Sequence, residues 1–167
     1  VGQAHVGAVL DVFWSLTRQQ GLVEVPILAF LIEGGPEPIL VDTGMRAPER
    51  ATGVHRLGPH SKSPEQSLQA QLALHGLEPG DIRTTLITHL HYDHAGGMEL
   101  LPNSRFVVQR SEVMAAAAPM GPAELEIGSK DMFFDRKDIA AVVDSLWDRV
   151  DMLEGSKQIA PGIEAVL

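Results

Sequence analysis

The chain has no cysteine among its 167 residues. That absence excludes disulfides, thiolate nucleophiles and cysteine-ligated zinc, and leaves histidine and carboxylate side chains as the ligands for any transition metal. Long apolar runs are missing too: the longest, residues 26–32 (PILAFLI), falls far short of the roughly 20 residues a membrane helix needs. No basic-then-apolar leader opens the sequence, so the expectation is a soluble protein without a membrane partner, with the cytoplasm the favoured compartment. Positive charge is scarce, with 13 Lys and Arg against 22 Asp and Glu and a formal net charge of −9. Phosphate backbones are held mainly by Lys and Arg, so a nucleic-acid partner is not expected. Repeats, linkers and low-complexity tracts are absent, and residues 1–167 read as a single domain.

What is present is a hydrophobic share of 44%, enough for a globular core. Apolar runs at 6–14, 25–33 and 39–42, broken by Gly34-Gly35-Pro36, are rich in β-branched and aromatic residues and predict a hairpin or meander. Residues 45–62 show no period and read as a long loop. Ser63 as N-cap, Pro64 at the first helical position and Gln66 closing a capping box predict a helix through Leu68, Leu72 and His75, ended by Gly76. After the turn at 78–81 come a strand over 82–88, a short linking helix, and a strand over 105–109. A helix follows from Ser111 and Glu112 through Ala115–Ala118, then an irregular stretch over 121–138, a weak helix over 139–147 and a strand-like run over 162–167.

Chemistry concentrates at Thr88-His89-Leu90-His91-Tyr92-Asp93-His94-Ala95-Gly96-Gly97, where three of the seven histidines and one aspartate fall within six residues. In extended backbone His89 and His91 project to the same face and both imidazoles reach one ion. Asp93 and His94 follow as the strand gives way to a turn, where the chain redirects them toward a second ion, and Gly96-Gly97 permits a close bend. Zinc favours this set of imidazole and carboxylate donors, while iron, manganese and cobalt accept the same ligand types. Two ions about 3.5–4 Å apart can share an activated water and polarise a carbonyl, which is hydrolytic chemistry. A solvated turn is the alternative, but four ligands in an H-x-H-x-D-H order are far more specific than a lone histidine. His5, His55, His60 and His75 are scattered and read as structural or exposed. If the strand persists, Tyr92 points away from its ligating neighbours; pocket wall and ordinary packing are both open to it, with packing favoured.

The run from His89 to His94 resembles the signature of the metallo-β-lactamase superfamily, and Val41-Asp42-Thr43-Gly44 resembles its upstream motif. The wording of 39–44, of 88–97 and of Phe106-Val107-Val108-Gln109-Arg110-Ser111-Glu112 resembles the N-acyl homoserine lactonase branch. The resemblance implies an α/β fold, the αββα sandwich, with His89 and His91 on a first zinc and Asp93 and His94 on a second. Asp42 would steady the metal loop by hydrogen bonds; on the residues alone it is equally a turn residue before Gly44. The implied reaction is attack of a metal-bridging hydroxide on a lactone carbonyl, with Asp93 as the catalytic acid assisting proton transfer to the leaving alkoxide.

In the family, the strand resembling 162–167 runs on into a further histidine, a bridging aspartate, a tyrosine and a last histidine, and this sequence ends before them. The resemblance therefore implies that the chain supplies roughly the N-terminal half of the sandwich. Each ion would find about two protein ligands here, where catalytic zinc usually has three. A missing C-terminal half or a second copy would complete it. The expected substrate is a small ester or lactone. Other ester, thioester or phosphodiester hydrolysis on the same scaffold, or a non-catalytic metal-binding half-domain, are the competing expectations.

Overall fold

The computed structural model describes residues 2–6, 23–55, 59–119 and 130–166. In chain order the strands are β1 (Gly2–Val6), β2 (Val23–Ile27), β3 (Phe30–Ile32), β4 (Ile39–Val41), β5 (His60–Ser61), β6 (Thr84–Leu86), β7 (Arg105–Gln109), β8 (Val150–Leu153), β9 (Lys157–Ala160) and β10 (Ile163–Ala165). The helices are α1 (Pro48–His55), α2 (Leu68–Ala73), α3 (Tyr92–Ala95), α4 (Arg110–Ala117) and α5 (Arg136–Val143).

The main sheet has the order β3-β4-β6-β7-β8. Only β3 and β4 pair antiparallel, across the turn where Gly34 takes φ 98°; β4, β6, β7 and β8 are mutually parallel. A smaller sheet, β2-β1-β5, and the β9–β10 hairpin complete the strands. The mixed α/β architecture agrees with one sheet-and-helix half of the expected sandwich.

Alternation along the strands divides the sheet into two unequal faces. Leu40, Phe106 and Val108 point to a core closed by Leu68 and Leu72 of α2, Val113 and Ala116 of α4, and Ala141 and Val142 of α5. On the other face Val41, Leu86, Val107 and Leu153, with Ile163 and Ala165 of the hairpin, line an open groove of about 330 Å³.

Several expectations are corrected. The run over 25–33 is two strands in different sheets, because Ile27 buries with Met45, Ala51 and Tyr92 while Leu31 packs against the main core. The run at 6–14 lies, beyond Val6, outside the described residues. The expected loop over 45–62 contains α1 and β5; Pro48 at its first position and Glu49 in its first turn start α1. The helix expected from Pro64 is interrupted. Ser63 N–H donates to Gln66 Oε1 at 2.8 Å as the capping box requires, but this closes a single 3₁₀ turn, and extended Ser67 caps α2 by accepting from Ala70 N–H at 3.1 Å. Helix α5 starts at Arg136 rather than 139, because Asp135 accepts from Lys137 N–H at 2.8 Å and caps it. Strands β8 and β9 are not expected from the sequence; charged Asp151, Glu154 and Lys157 mask their apolar positions.

Candidate metal centre

The site lies where β4 and β6 end side by side. Past Val41 the chain turns sharply at Asp42, which takes φ 58°, a left-handed conformation that aspartate tolerates better than most residues. The turn is held by Asp42 N–H donating to Leu86 O at 2.8 Å, and it carries the carboxylate, only 3% exposed, under the histidine run. Asp42 Oδ1 accepts from Thr88 N–H at 2.8 Å, and Oδ2 accepts from the Thr88 hydroxyl at 2.8 Å and from His94 Nδ1 at 2.8 Å. Asp42 thus takes a left-handed turn conformation, and its carboxylate hydrogen-bonds Thr88 and His94.

One consequence concerns tautomers. The Thr88 hydroxyl proton is spent on Asp42, so at its 3.0 Å contact with His89 the ring Nδ1–H must donate to Oγ1. His94 likewise gives its Nδ1–H to Asp42. With Nδ1 engaged in each ring, Nε2 is the atom that would face a metal, and that of His94 lies 3.5 Å from Asp93 Oδ2. This is the arrangement in which a carboxylate behind a histidine prepares it as a metal ligand.

The glycines have a second neighbour besides their own bend. They admit the 42–46 loop rather than merely bending the chain. A side chain on Gly96 would collide with Arg46 N, with Tyr92 O at 2.7 Å and with Met45 C at 2.8 Å; one on Gly97 would lie 2.6 Å from Thr43 O. Thr43 completes the clamp: its N–H and hydroxyl both donate to His94 O, at 2.7 and 2.8 Å, and its Oγ1 accepts from Gly97 N–H at 3.0 Å.

Three imidazoles meet here. The His89 ring centroid lies 4.4 Å from that of His91 and 3.9 Å from that of His94. Asp93 is at the rim, its Oδ2 3.5 Å from His94 Nε2. His91 is gripped by Phe133, stacked at 5.1 Å, and by Phe134, edge-on at 4.8 Å. These two phenylalanines fall in the stretch expected to be irregular, and only their adjacency in sequence hints at a role. The sequence likewise places Glu112 on a helix without giving it a task; its Oε1 accepts from Leu90 N–H at 2.8 Å, between the two histidines.

Tyr92 turns away from the cluster, as expected, and packs with Ile27, Met45 and Ala51. Its hydroxyl is 2.7 Å from Nε2 of His60, whose backbone N–H donates to Thr52 Oγ1 at 3.0 Å, so His60 is a buried structural histidine. His75 is on the surface, 3.0 Å from Glu33. The side chains of His5 and His55 lie outside those described.

Burial, reinforced by neighbouring His94, lowers the pKa of His89, and burial with His89 beside it pushes His91 down to about 4. Burial also pulls on His94, but the hydrogen bond to Asp42 and the charges of Asp93 and Asp42 outweigh it and raise the value. His89 and His91 are thus neutral donors at neutral pH. In kind the donor set fits zinc: three imidazoles, two of them bonded through Nδ1, and a carboxylate. In arrangement it is incomplete, since among the described residues no three His, Asp or Glu side chains stand so as to hold an ion.

Two further features flank the site. Arg46, beside Gly96, reaches Asp138 of α5 at 2.7 Å and Glu99 at 2.7 Å, and Arg50 pairs with Asp135. A groove of about 600 Å³ runs between α4 and α5, lined by Ala116, Ile139 and Val143 with Lys130 and Arg136 at its rim, and shares Phe134 with His91. No helix among the described residues is long and apolar enough to cross a membrane.

Residues 22–162 match the family profile of the Metallo-beta-lactamase superfamily. The chain belongs to that superfamily. It is similar to the N-acyl homoserine lactonase AiiB of Agrobacterium fabrum, 31% identical over 155 residues that cover 88% of this chain and 54% of the relative. It is also similar to the N-acyl homoserine lactonase AiiA of Bacillus thuringiensis subsp. kurstaki, 36% identical over 104 residues, or 57% of this chain and 41% of that one. Among solved structures, an N-acyl homoserine lactone hydrolase with the product N-hexanoyl-L-homoserine at its catalytic metal centre superposes with a TM-score of 0.70 at 28% identity, covering 98% of this chain and 60% of that one. The chain thus spans about half the length of the curated relatives it matches, and the sandwich is represented in part.

Proposed function

We propose that this chain carries the metal-binding half of a lactone hydrolase acting on N-acyl homoserine lactones. In this reading His89, His91, Asp93 and His94 hold two zinc ions and Asp42 positions the loop that bears them. The observation that carries it is the convergence of three imidazoles at the ends of parallel strands, with one carboxylate setting the free nitrogen of two of them. The similarity to proteins named N-acyl homoserine lactonases supports the substrate class.

When bound, zinc supplies Lewis acidity and lowers the pKa of water to about 7. The chain's own residues do the rest. Asp42 holds the Nδ1 proton of His94 and, through Thr88, that of His89. Phe133 and Phe134 fix the His91 ring and wall it from water. Asp93, at the rim with a side chain 30% exposed, would take up the proton released by the attacking water and return it to the departing alkoxide.

A competing reading, metal binding without turnover, draws on the lack of a three-ligand group among the described residues. Proton release from N-hexanoyl homoserine lactone, measured with purified protein and added zinc, separates the two. Ring opening that disappears in His89→Ala and Asp93→Asn supports hydrolysis. Zinc uptake with no proton release supports the half-domain, and opening of simple esters in preference to the lactone shifts the substrate class.

A further inference from the structure

We propose that Glu112 is a positioning residue for the pair His89 and His91, acting through the backbone between them; the inference rests on the reading of these histidines as metal ligands. Glu112 is the third residue of α4 (Arg110–Ala117). From that position a glutamate ordinarily folds back to accept the N–H of its own helix's N-cap, or sits there to favour the helix dipole. Here it does not fold back. The N-cap, Gln109, makes no side-chain cap, and Glu112 instead reaches across to the site, where Oε1 accepts from Leu90 N–H at 2.8 Å. A local helix-capping role is forgone for a contact 22 residues away in sequence.

The recipient explains why this matters. Leu90 is 1% exposed and its side chain is fixed in the main core, so its amide has little access to water as an alternative partner. That amide belongs to the peptide joining His89 to Leu90. Its orientation sets the direction in which His89 leaves the backbone and, one residue on, that of His91. The two rings sit 4.4 Å apart with no direct hydrogen bond between them among the described contacts, so their spacing depends on the backbone that carries them. Asp42 and Thr88 orient His89 and His94, and the two phenylalanines hold the His91 ring; Glu112 holds the segment common to His89 and His91. Because α4 follows β7 directly, the tether also ties the loop after β6 to the next strand of the sheet.

The test uses the whole chain with Co²⁺ as the probe, read by its d–d absorption, together with hydrogen exchange at the Leu90 amide. Glu112→Ala removes the acceptor, and Glu112→Gln keeps a neutral acceptor at the same reach. The expected result is a loss of Co²⁺ affinity of about ten- to a hundredfold in the alanine variant, the usual range for groups that orient metal ligands. Leu90 exchange should quicken in that variant, while the glutamine variant stays close to the parent in both. Should the alanine variant fail to fold, Glu112→Asp, one methylene shorter, is read in its place. Unchanged affinity and spectrum in the alanine or aspartate variant overturn the proposal, as does a glutamine variant that falls as far as alanine. A parent chain that takes up no Co²⁺ overturns the metal reading itself and the proposal with it.

Discussion

At the scale of single residues, the site is governed by how closely two loops approach. Gly96 is the sharpest case, because its neighbours are backbone atoms that have no rotamer to escape into. A methyl group there meets Tyr92 O and Met45 C well inside van der Waals contact. Gly96→Ala must therefore push the 42–46 loop away from α3, at a cost typical of overpacking, about 1–3 kcal/mol. Urea unfolding measures it. Loss of zinc affinity is expected alongside, since the same displacement pulls Asp42 from His94. A variant as stable as the parent would mean that the two loops are not locked together. By contrast, a methyl group on Gly53 would meet nothing within 4 Å, so Gly53→Ala in α1 serves as the matched control, with a gain of helix propensity and no clash.

At the scale of elements, the loop leading into α1 is tied to α5 by charge, through Arg46 and Asp138. Asp138 is buried, and burial raises its pKa to about 6 in spite of the Arg46 hydrogen bond, which lowers it; among the described residues its Oδ2 has no hydrogen-bond partner. The folded value lies above the ordinary 3.8. The protonated carboxyl therefore favours the fold fully below about pH 4, and that contribution is lost as pH rises through about 6. Removing Arg46 pushes the folded value higher still and leaves an uncompensated charge at alkaline pH. Arg46→Ala is expected to cost about 3–5 kcal/mol at pH 8, the range for breaking a buried pair from one side, and clearly less at pH 4.5, where Asp138 is protonated with or without its partner. Urea midpoints of parent and variant at the two pH values check this; equal losses at both would show that packing of the Arg46 stem, rather than Asp138, carries the effect. None of this is legible in the sequence. Arg46 and Asp138 are 92 residues apart, and no local pattern announces the pair. The same holds for Glu112 with Leu90 and for Phe133 with His91. The histidine run and the Asp42 turn are legible because their chemistry is contiguous, β7 because Phe106-Val107-Val108 is an unbroken apolar run, and β6 because its threonines and flanking isoleucines are β-branched. Helix α1 escapes notice because its sequence, PERATGVH, has only Ala51 and Val54 as apolar residues after its proline and so shows no apolar stripe.

At the scale of the whole molecule, the candidate centre gathers segments that are otherwise held by separate parts of the fold: the end of β4, the loop after β6, α3, the start of α4 and the turn before α5. A ligand that joins the histidines therefore stabilises the arrangement of all of them. Anything that binds the folded chain and not the unfolded one raises stability by RT ln(1 + [L]/Kd), about 2.7 kcal/mol at a hundredfold excess over Kd. Zinc is thus expected to raise the melting temperature of the whole chain in a concentration-dependent way, a chelator to reverse it, and His89→Ala and His94→Ala each to flatten the response. The net charge of −9 would let any divalent cation bind weakly at the surface, so magnesium is the necessary comparison: a hard ion that prefers oxygen ligands and gains little from imidazoles. A shift of the same size with magnesium, or a zinc response that survives in both histidine variants, would assign the stabilisation to surface charge and remove the physical support for a metal centre at this position.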